Sequence, residues 1–271
     1  AGRAGMALLP SGKAELEKIA ELEVDGAEGK KRVALQLLRG TSQTPQPVWT
    51  EGDKFFGALV GLAILPAGYE QNLEAMQKAQ DSAIAALAPA IAKKFVTAEA
   101  RMPVLFDHVR IYDADKERFV EDQAVLVGGG KIQAVVPGGS HSPPPTTRVN
   151  DGKGKTLVPG LWDSHGHIAD DFAALGELAL GVTSVRNPGG PIELAVSQRE
   201  RRANGTLLGP ETFSSAIIDQ KGPLAAQGSL VVGSLEETLA AVRKIKDAGL
   251  AGVKFYTSMK PEWIAPGAAL A

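Results

Sequence analysis

The sequence predicts an α/β chain in three parts: a mainly helical region over residues 1–103, a small β segment over 104–156, and a series of βα units over 157–271. Three observations predict this. After Thr156, strand-like and helix-like segments alternate four times, which implies a parallel sheet covered by helices, open or closed into a barrel. Before it, short β-rich runs are broken by Gly, Pro and Asp. The whole chain of 271 residues, 44% hydrophobic and 22% charged with a net charge of −2, has an ordinary globular balance.

Composition also excludes several function classes. With no Cys, the chain has no disulfide scaffold, cysteine-ligated zinc, iron–sulfur cluster or thiol nucleophile. Near-neutral charge argues against a dedicated nucleic-acid binder. The most apolar run, FFGALVGLAIL at 55–65, is about half the roughly 20 residues a spanning helix needs, so it reads as a buried core element and no membrane partner is expected. The opening AGRAGMALLP has no adequate apolar region with a cleavage site. It starts with Ala rather than Met, so the sequence leaves the location open between cytoplasmic and, with an export signal ahead of Ala1, periplasmic or secreted.

The elements follow in order. Residues 14–24, AELEKIAELEV, read as a loosely amphipathic helix with Ser11 as a cap. A loop rich in Thr, Gln and Pro spans 41–47. Leu73, Met76, Ala83, Ile84, Leu87 and Ile91 then recur near helical spacing, interrupted by Pro89. No chemical constellation occurs in this region, and its role is packing. Three β runs follow, VLFDHVRIYD at 104–113, AVLVGGGKIQAVV at 124–136 and TTRVND at 146–151, which read as a small antiparallel unit. Gly128-Gly129-Gly130-Lys131 is a hairpin turn rather than a phosphate loop, because a strand and not a helix follows it.

The third part begins with an apolar strand, TLVPGLWDSHGH at 156–167. A helix over 172–180 closes at Gly181, and VTSVRN at 182–187 is the second strand. Pro191 opens a helix that ends at Asn204-Gly205, and ETFSSAII at 211–218 is the third strand. A helix over 235–248 has Ser234 as cap, Glu237 completing a capping box and Gly249 as stop. AGVKFYTS at 251–258 is the fourth strand, before a helix that starts at Pro261.

Chemistry concentrates at Asp163-Ser164-His165-Gly166-His167, the C-terminal end of the first of these strands. Side chains two apart on a strand share a face, so His165 and His167 can converge on one divalent ion, with Asp163 on the same side. Gly166 leaves room for close approach. His108, inside a β run, and His141, in a Ser/Pro connector, read as ordinary surface or edge histidines. Lys254 alternates with apolar Val253 and Phe255, so Lys254 and Tyr256 would face a barrel interior. A buried lysine amine has a lowered pKa and, when neutral, adds carbon dioxide to give an anionic carbamate. A lysine reaching to solvent from the strand end fits the same pattern.

Four segments in this order, VLVGGGKIQAVV, GKTLVPGLWDSHGH, GVTSVRNPGG and GVKFYTS, resemble the metal-dependent amidohydrolase superfamily, nearest to its imidazolonepropionase-like and Xaa-Pro dipeptidase-like hydrolases. The resemblance covers residues 104–264. It implies a composite β-sandwich segment over 104–156 beside the first half, strands 1–4, of a (β/α)8 TIM-type barrel. It implies one or two divalent ions, usually zinc, held by His165 and His167 and bridged by a carboxylated Lys254. Arg186 and Tyr256 are candidate substrate contacts. It further implies hydrolysis of a C–N bond in an amide, peptide-like or cyclic amide substrate.

The sequence also departs from that pattern. No histidine follows His167, and the general-base Asp expected after an eighth strand would lie beyond residue 271. Asn187 stands where relatives commonly have Asp. The expectation is therefore the front half of an enzyme, inactive as an isolated chain and prone to self-association through an open barrel edge. The alternative is a non-catalytic binding or assembly module. An open doubly wound nucleotide fold ranks last, because no Gly-rich fingerprint follows its first strand.

Overall fold

A computed structural model of the chain describes residues 4–42, 44–60, 62–226 and 228–271. Two compact units divide it: Ala1–Ile91 together with Leu161–Ala271, and Ala92–Gly160.

The described residues between 4 and 64 fold mainly as strands, which corrects the helical region expected over 1–103. β1 (Ala4–Ala7), β2 (Lys13–Gly26), β3 (Gly29–Arg39), β4 (Gln46–Glu51), β5 (Lys54–Val60) and β6 (Leu62–Ile64) form one antiparallel sheet in chain order. The segment expected as a helix at 14–24 lies inside β2. Glu15 and Glu17, then Glu21 and Glu23, alternate there with Ala14 and Leu16, then Leu22 and Val24. A register shift between Lys18 and Ala20 inserts one residue between the two halves. That insertion breaks the period of two and makes Leu16, Ile19 and Ala20 look helical. Helix propensity of Glu, Leu and Ala is a weak prior, and pairing with β3 along the whole strand overrides it.

The helical spacing over 69–96 produces α1 (Leu73–Ala85) and α2 (Ala88–Phe95), with Pro89 in the first turn of α2, where its missing N–H is harmless. Met76 of α1 packs with Val24, Val33, Leu35, Trp49 and Phe56 of the sheet. Gln80 is buried here and fully used: its Oε1 accepts from Trp49 Nε1 at 3.2 Å and its Nε2 donates to the Leu59 carbonyl at 2.8 Å. The apolar run at 55–65 is only half core. Phe56 and Leu59 are buried, while Phe55, Leu62 and Ile64 are exposed. No helix among the described residues is long and apolar enough to cross a membrane.

In the second unit, β7 (Val104–Asp113), β8 (Arg118–Gly128) and β9 (Lys131–Pro137) pair antiparallel. Gly129 and Gly130 have φ of 59° and 74°, the left-handed pair that a two-residue hairpin demands. The unit is mixed rather than purely antiparallel. β10 (Arg148–Asp151) and β11 (Thr156–Leu157) both run parallel to β7, and β11 continues β10 along it, with Asp151 in register with Asp107 and Thr156 with Arg110.

The remaining chain runs β12 (Leu161–Asp163), α3 (Asp171–Ala179), β13 (Val182–Asn187), α4 (Ile192–Ala203), β14 (Glu211–Gln220), β15 (Leu230–Val232), α5 (Leu235–Asp247), β16 (Gly252–Phe255) and α6 (Pro261–Leu270), alternating strand and helix except where β15 follows β14. β12 pairs with β13, β13 with β14, and β14 with both β15 and β16, all parallel. The long strand expected from Thr156 is broken, since Thr156-Leu157 pairs with β7 and β12 starts only after Pro159-Gly160. Pro lacks the N–H a ladder needs.

Two helices carry side-chain caps. Asp170 accepts from Ala173 N at 2.8 Å, and Ser234 accepts from Glu237 N at 3.1 Å. The Glu237 carboxylate reaches the Gly233 N–H, one residue ahead of the cap itself. Ala216 and Ile218 of β14 pack with Ile192 of α4, Val242 and Ile245 of α5 and Trp263 of α6, while Val185 of β13 packs with Ala174 of α3. This face of the sheet is covered by helices. By the two-residue period of a strand, Phe213, Ser215 and Ile217 point to the other face.

Candidate metal centre

β12 ends at Asp163, and a turn at Ser164-His165 follows. The histidines therefore lie beyond the strand rather than on it. Hydrogen bonds fix this tail: Asp163 Oδ1 accepts from His165 N at 2.9 Å, and Gly166 N donates to the Arg186 carbonyl at 3.1 Å. A Cβ on Gly166 would lie 2.5 Å from Asp163 Oδ2 and 2.9 Å from Val185 Cγ1, so only glycine lets the tail lie this close to β13.

The imidazoles of His165 and His167 come together, with ring centroids 5.5 Å apart and planes inclined at 64°. His167 Nδ1 lies 3.1 Å from the Gly189 carbonyl oxygen. A carbonyl can only accept, so Nδ1 carries the proton and Nε2 keeps a free lone pair. Two imidazoles bound at about 2.1 Å to one tetrahedral ion place their centroids about 5 Å apart. The observed pair fits that requirement. Among the described residues, no group of three or more His, Asp or Glu side chains gathers to hold a metal ion.

Asp163 does not share the face of the imidazoles. It is in register with Val185, a fully buried residue on the helix-covered side, and the Ser164-His165 turn interrupts strand alternation before His167. Its carboxylate shapes the backbone of the tail instead.

Lys254 is in register with Ile217 on the face away from the helices, and its ammonium sits 5.1 Å from the centre of the Tyr256 ring. Its Cδ lies 3.7 Å from where a Cβ on Gly189 would be, so the residue that holds His167 also borders Lys254. Arg186 is exposed and in register with Phe213, whose ring stacks on Trp162 at 5.2 Å. Tyr256 is partly exposed just past the end of β16. Of the other histidines, His108 is exposed on β7 and bridges to Asp122, whereas His141 lies in a segment without regular structure.

Two features escaped the sequence reading. One is the Gly189 carbonyl, 22 positions from its histidine. The other is Asp219, fully buried at the C-terminal end of β14, which accepts from the N–H groups of Gln220, Ala226 and Ser258 at 3.0, 2.9 and 3.1 Å. It ties together the segments that follow β14 and β16. Asp170, the α3 cap, has its carboxyl pushed above the ordinary aspartate value by burial.

No family model matches the chain. A Bifidobacterium longum structure described as a prolidase superposes with a TM-score of 0.52 and 25% identity, covering 59% of this chain and 42% of that one. The chain's structural relatives are amidohydrolase-family proteins. A bottromycin amidohydrolase, at 18% identity and TM-score 0.50 over 66% of this chain and 37% of its own, shares the fold. Two curated deaminases extend the likeness. Adenine deaminase 3 of Rhizobium johnstonii is 35% identical over 81 residues, 28% of this chain and 13% of that protein. Guanine deaminase of Escherichia coli is 42% identical over 67 residues, 23% of this chain and 15% of that protein. The amidohydrolase-like chain thus spans less than half the length of each of these relatives.

Proposed function

We propose that this chain is part of a metal-dependent hydrolase of C–N bonds in small amide, peptide-like, cyclic amide or amidine substrates. In this reading β12, β13, β14 and β16 are the first strands of a (β/α)8 barrel, and the β7–β11 unit belongs to a β-sandwich. The paired imidazoles of His165 and His167, with Nε2 of His167 left bare, carry the proposal. Their place at the C-terminal end of a parallel strand supports it, since that end holds active sites in barrel folds. The names of the relatives, two deaminases and a prolidase, point to the same bond type.

His165 and His167 would hold one divalent ion, most simply zinc, and Lys254 carboxylated on Nζ would add an anionic oxygen donor between two ions. Carboxylation joins the amine nitrogen to the carbon of carbon dioxide and releases one proton. When bound, the metal supplies Lewis-acid polarisation and a more acidic water molecule. The chain's own residues orient and bind: Gly189 and Asp163 fix the histidine-bearing tail, while Arg186 and Tyr256 lie on the open side, where a substrate would contact them.

Calorimetric titration of zinc into the chain tests the reading. Binding should weaken at least about tenfold in His165→Ala and again in His167→Ala, with circular dichroism unchanged. Equal zinc affinity in the wild type and in the double variant would refute it.

A further inference from the structure

We infer that Asn187 is a positioning residue that holds the Gly189 carbonyl on His167, and so selects which imidazole nitrogen is free to bind metal. The inference deepens the metal-site reading above and rests on it for the consequence, although the geometry stands by itself.

Asn187 is the last residue of β13 and is buried. Its Oδ1 accepts from the Gly189 N–H at 3.3 Å. The same glycine offers its carbonyl to His167 Nδ1 at 3.1 Å. One residue is thus gripped at its N–H by Asn187 and presents its C=O to the imidazole. Pro188, between them, fixes its own φ and removes one degree of freedom from the short bridge. On the other side Ile217 closes in: a Cβ at position 189 would meet its Cγ1 at 2.4 Å and its Cδ1 at 2.7 Å. Gly189 is therefore wedged between the Asn187 amide and the Ile217 side chain, and its carbonyl has little freedom to turn.

A histidine in water favours the tautomer with the proton on Nε2, which would leave the wrong nitrogen bare for this geometry. The hydrogen bond a ring nitrogen makes to its neighbour decides the tautomer. Here the deciding acceptor is a backbone carbonyl, and the side chain that aims it is Asn187. An aspartate at 187 would keep the acceptor oxygen, so the amide and the carboxylate are interchangeable for aiming the carbonyl.

The test is long-range proton–nitrogen NMR of the His167 ring in the metal-free chain, joined to zinc titration. The wild type should show the proton on Nδ1. Asn187→Ala should move a large share of it to Nε2 and weaken zinc about 10- to 100-fold, the usual effect of losing a partner behind a ligand. Asn187→Asp should restore both. Asn187→Leu, similar in size and suited to a buried site, repeats the test should the alanine variant not fold. A wild-type ring protonated on Nε2, or an unchanged tautomer in the alanine and leucine variants, overturns the inference. Absence of zinc binding by the wild type would instead overturn the metal-site reading, while the tautomer measurement still decides the role of Asn187.

Discussion

Replacing Asp219 by alanine should unfasten the C-terminal rim of the sheet. The side chain is fully buried and accepts three backbone N–H groups, from Gln220, Ala226 and Ser258. A hydrogen bond to a charged acceptor contributes about 1.5–3 kcal/mol, and a buried donor left without a partner loses a similar amount. The three donors lie on partly exposed segments where water replaces part of the loss, so the expected destabilisation is about 3–5 kcal/mol. Asp219→Asn keeps Oδ1 for Gln220 and Ser258 but turns an amide donor toward the Ala226 N–H, and should lose about 2 kcal/mol. Urea unfolding followed by far-ultraviolet circular dichroism measures both, with an unchanged slope showing that the transition itself is the same. Hydrogen exchange should quicken at Ala226 and Ser258 before the sheet interior responds. A loss below about 1 kcal/mol in the alanine variant would refute the assignment of Asp219 as the tie between these segments.

Arg201 grips Asp171 with both terminal guanidinium nitrogens, at 2.6 and 2.7 Å, and the carboxylate is buried. Arg201→Ala should destabilise the chain by about 3–5 kcal/mol, because it strands a buried charge, and adding Asp171→Ala should recover part of that loss. The same urea assay checks it, and purely additive losses would contradict it. His108 has its pKa raised, first by its 2.7 Å hydrogen bond to Asp122 and then by the Asp107 charge, with Asp151 adding a smaller share. Its stabilising contribution is therefore complete below the unfolded value near 6.5 and is lost as pH rises through the higher folded value. The gap in unfolding midpoint between wild type and His108→Gln should shrink from pH 6 to pH 9, and an NMR titration placing His108 at or below about 6.5 would contradict it.

Local signals were legible where local chemistry decides the outcome. Ser234 three residues before Glu237 marks a helix start, because a cap needs only its own turn. The spacing of His165 and His167 was equally readable. β2 was not, because one inserted residue at Ile19 hides a strand behind a helix-like spacing, and only pairing with β3 restores the alternation. The side taken by Asp163 was misread for a related reason: the Ser164-His165 turn interrupts the period of two just where the argument relied on it.

By itself the sequence determined that two imidazoles stand one glycine apart after an apolar run, in a chain that alternates strand and helix from there on. Tertiary structure alone decided which nitrogen of His167 is free, since the deciding carbonyl is at Gly189, 22 residues away. It also decided that Lys254 borders the same glycine and that Asp219 has three backbone donors to hold. The physical reason is common to all three. Hydrogen bonds and close contacts act over a few ångströms of space, and only the packed parallel strands bring such distant positions within that range.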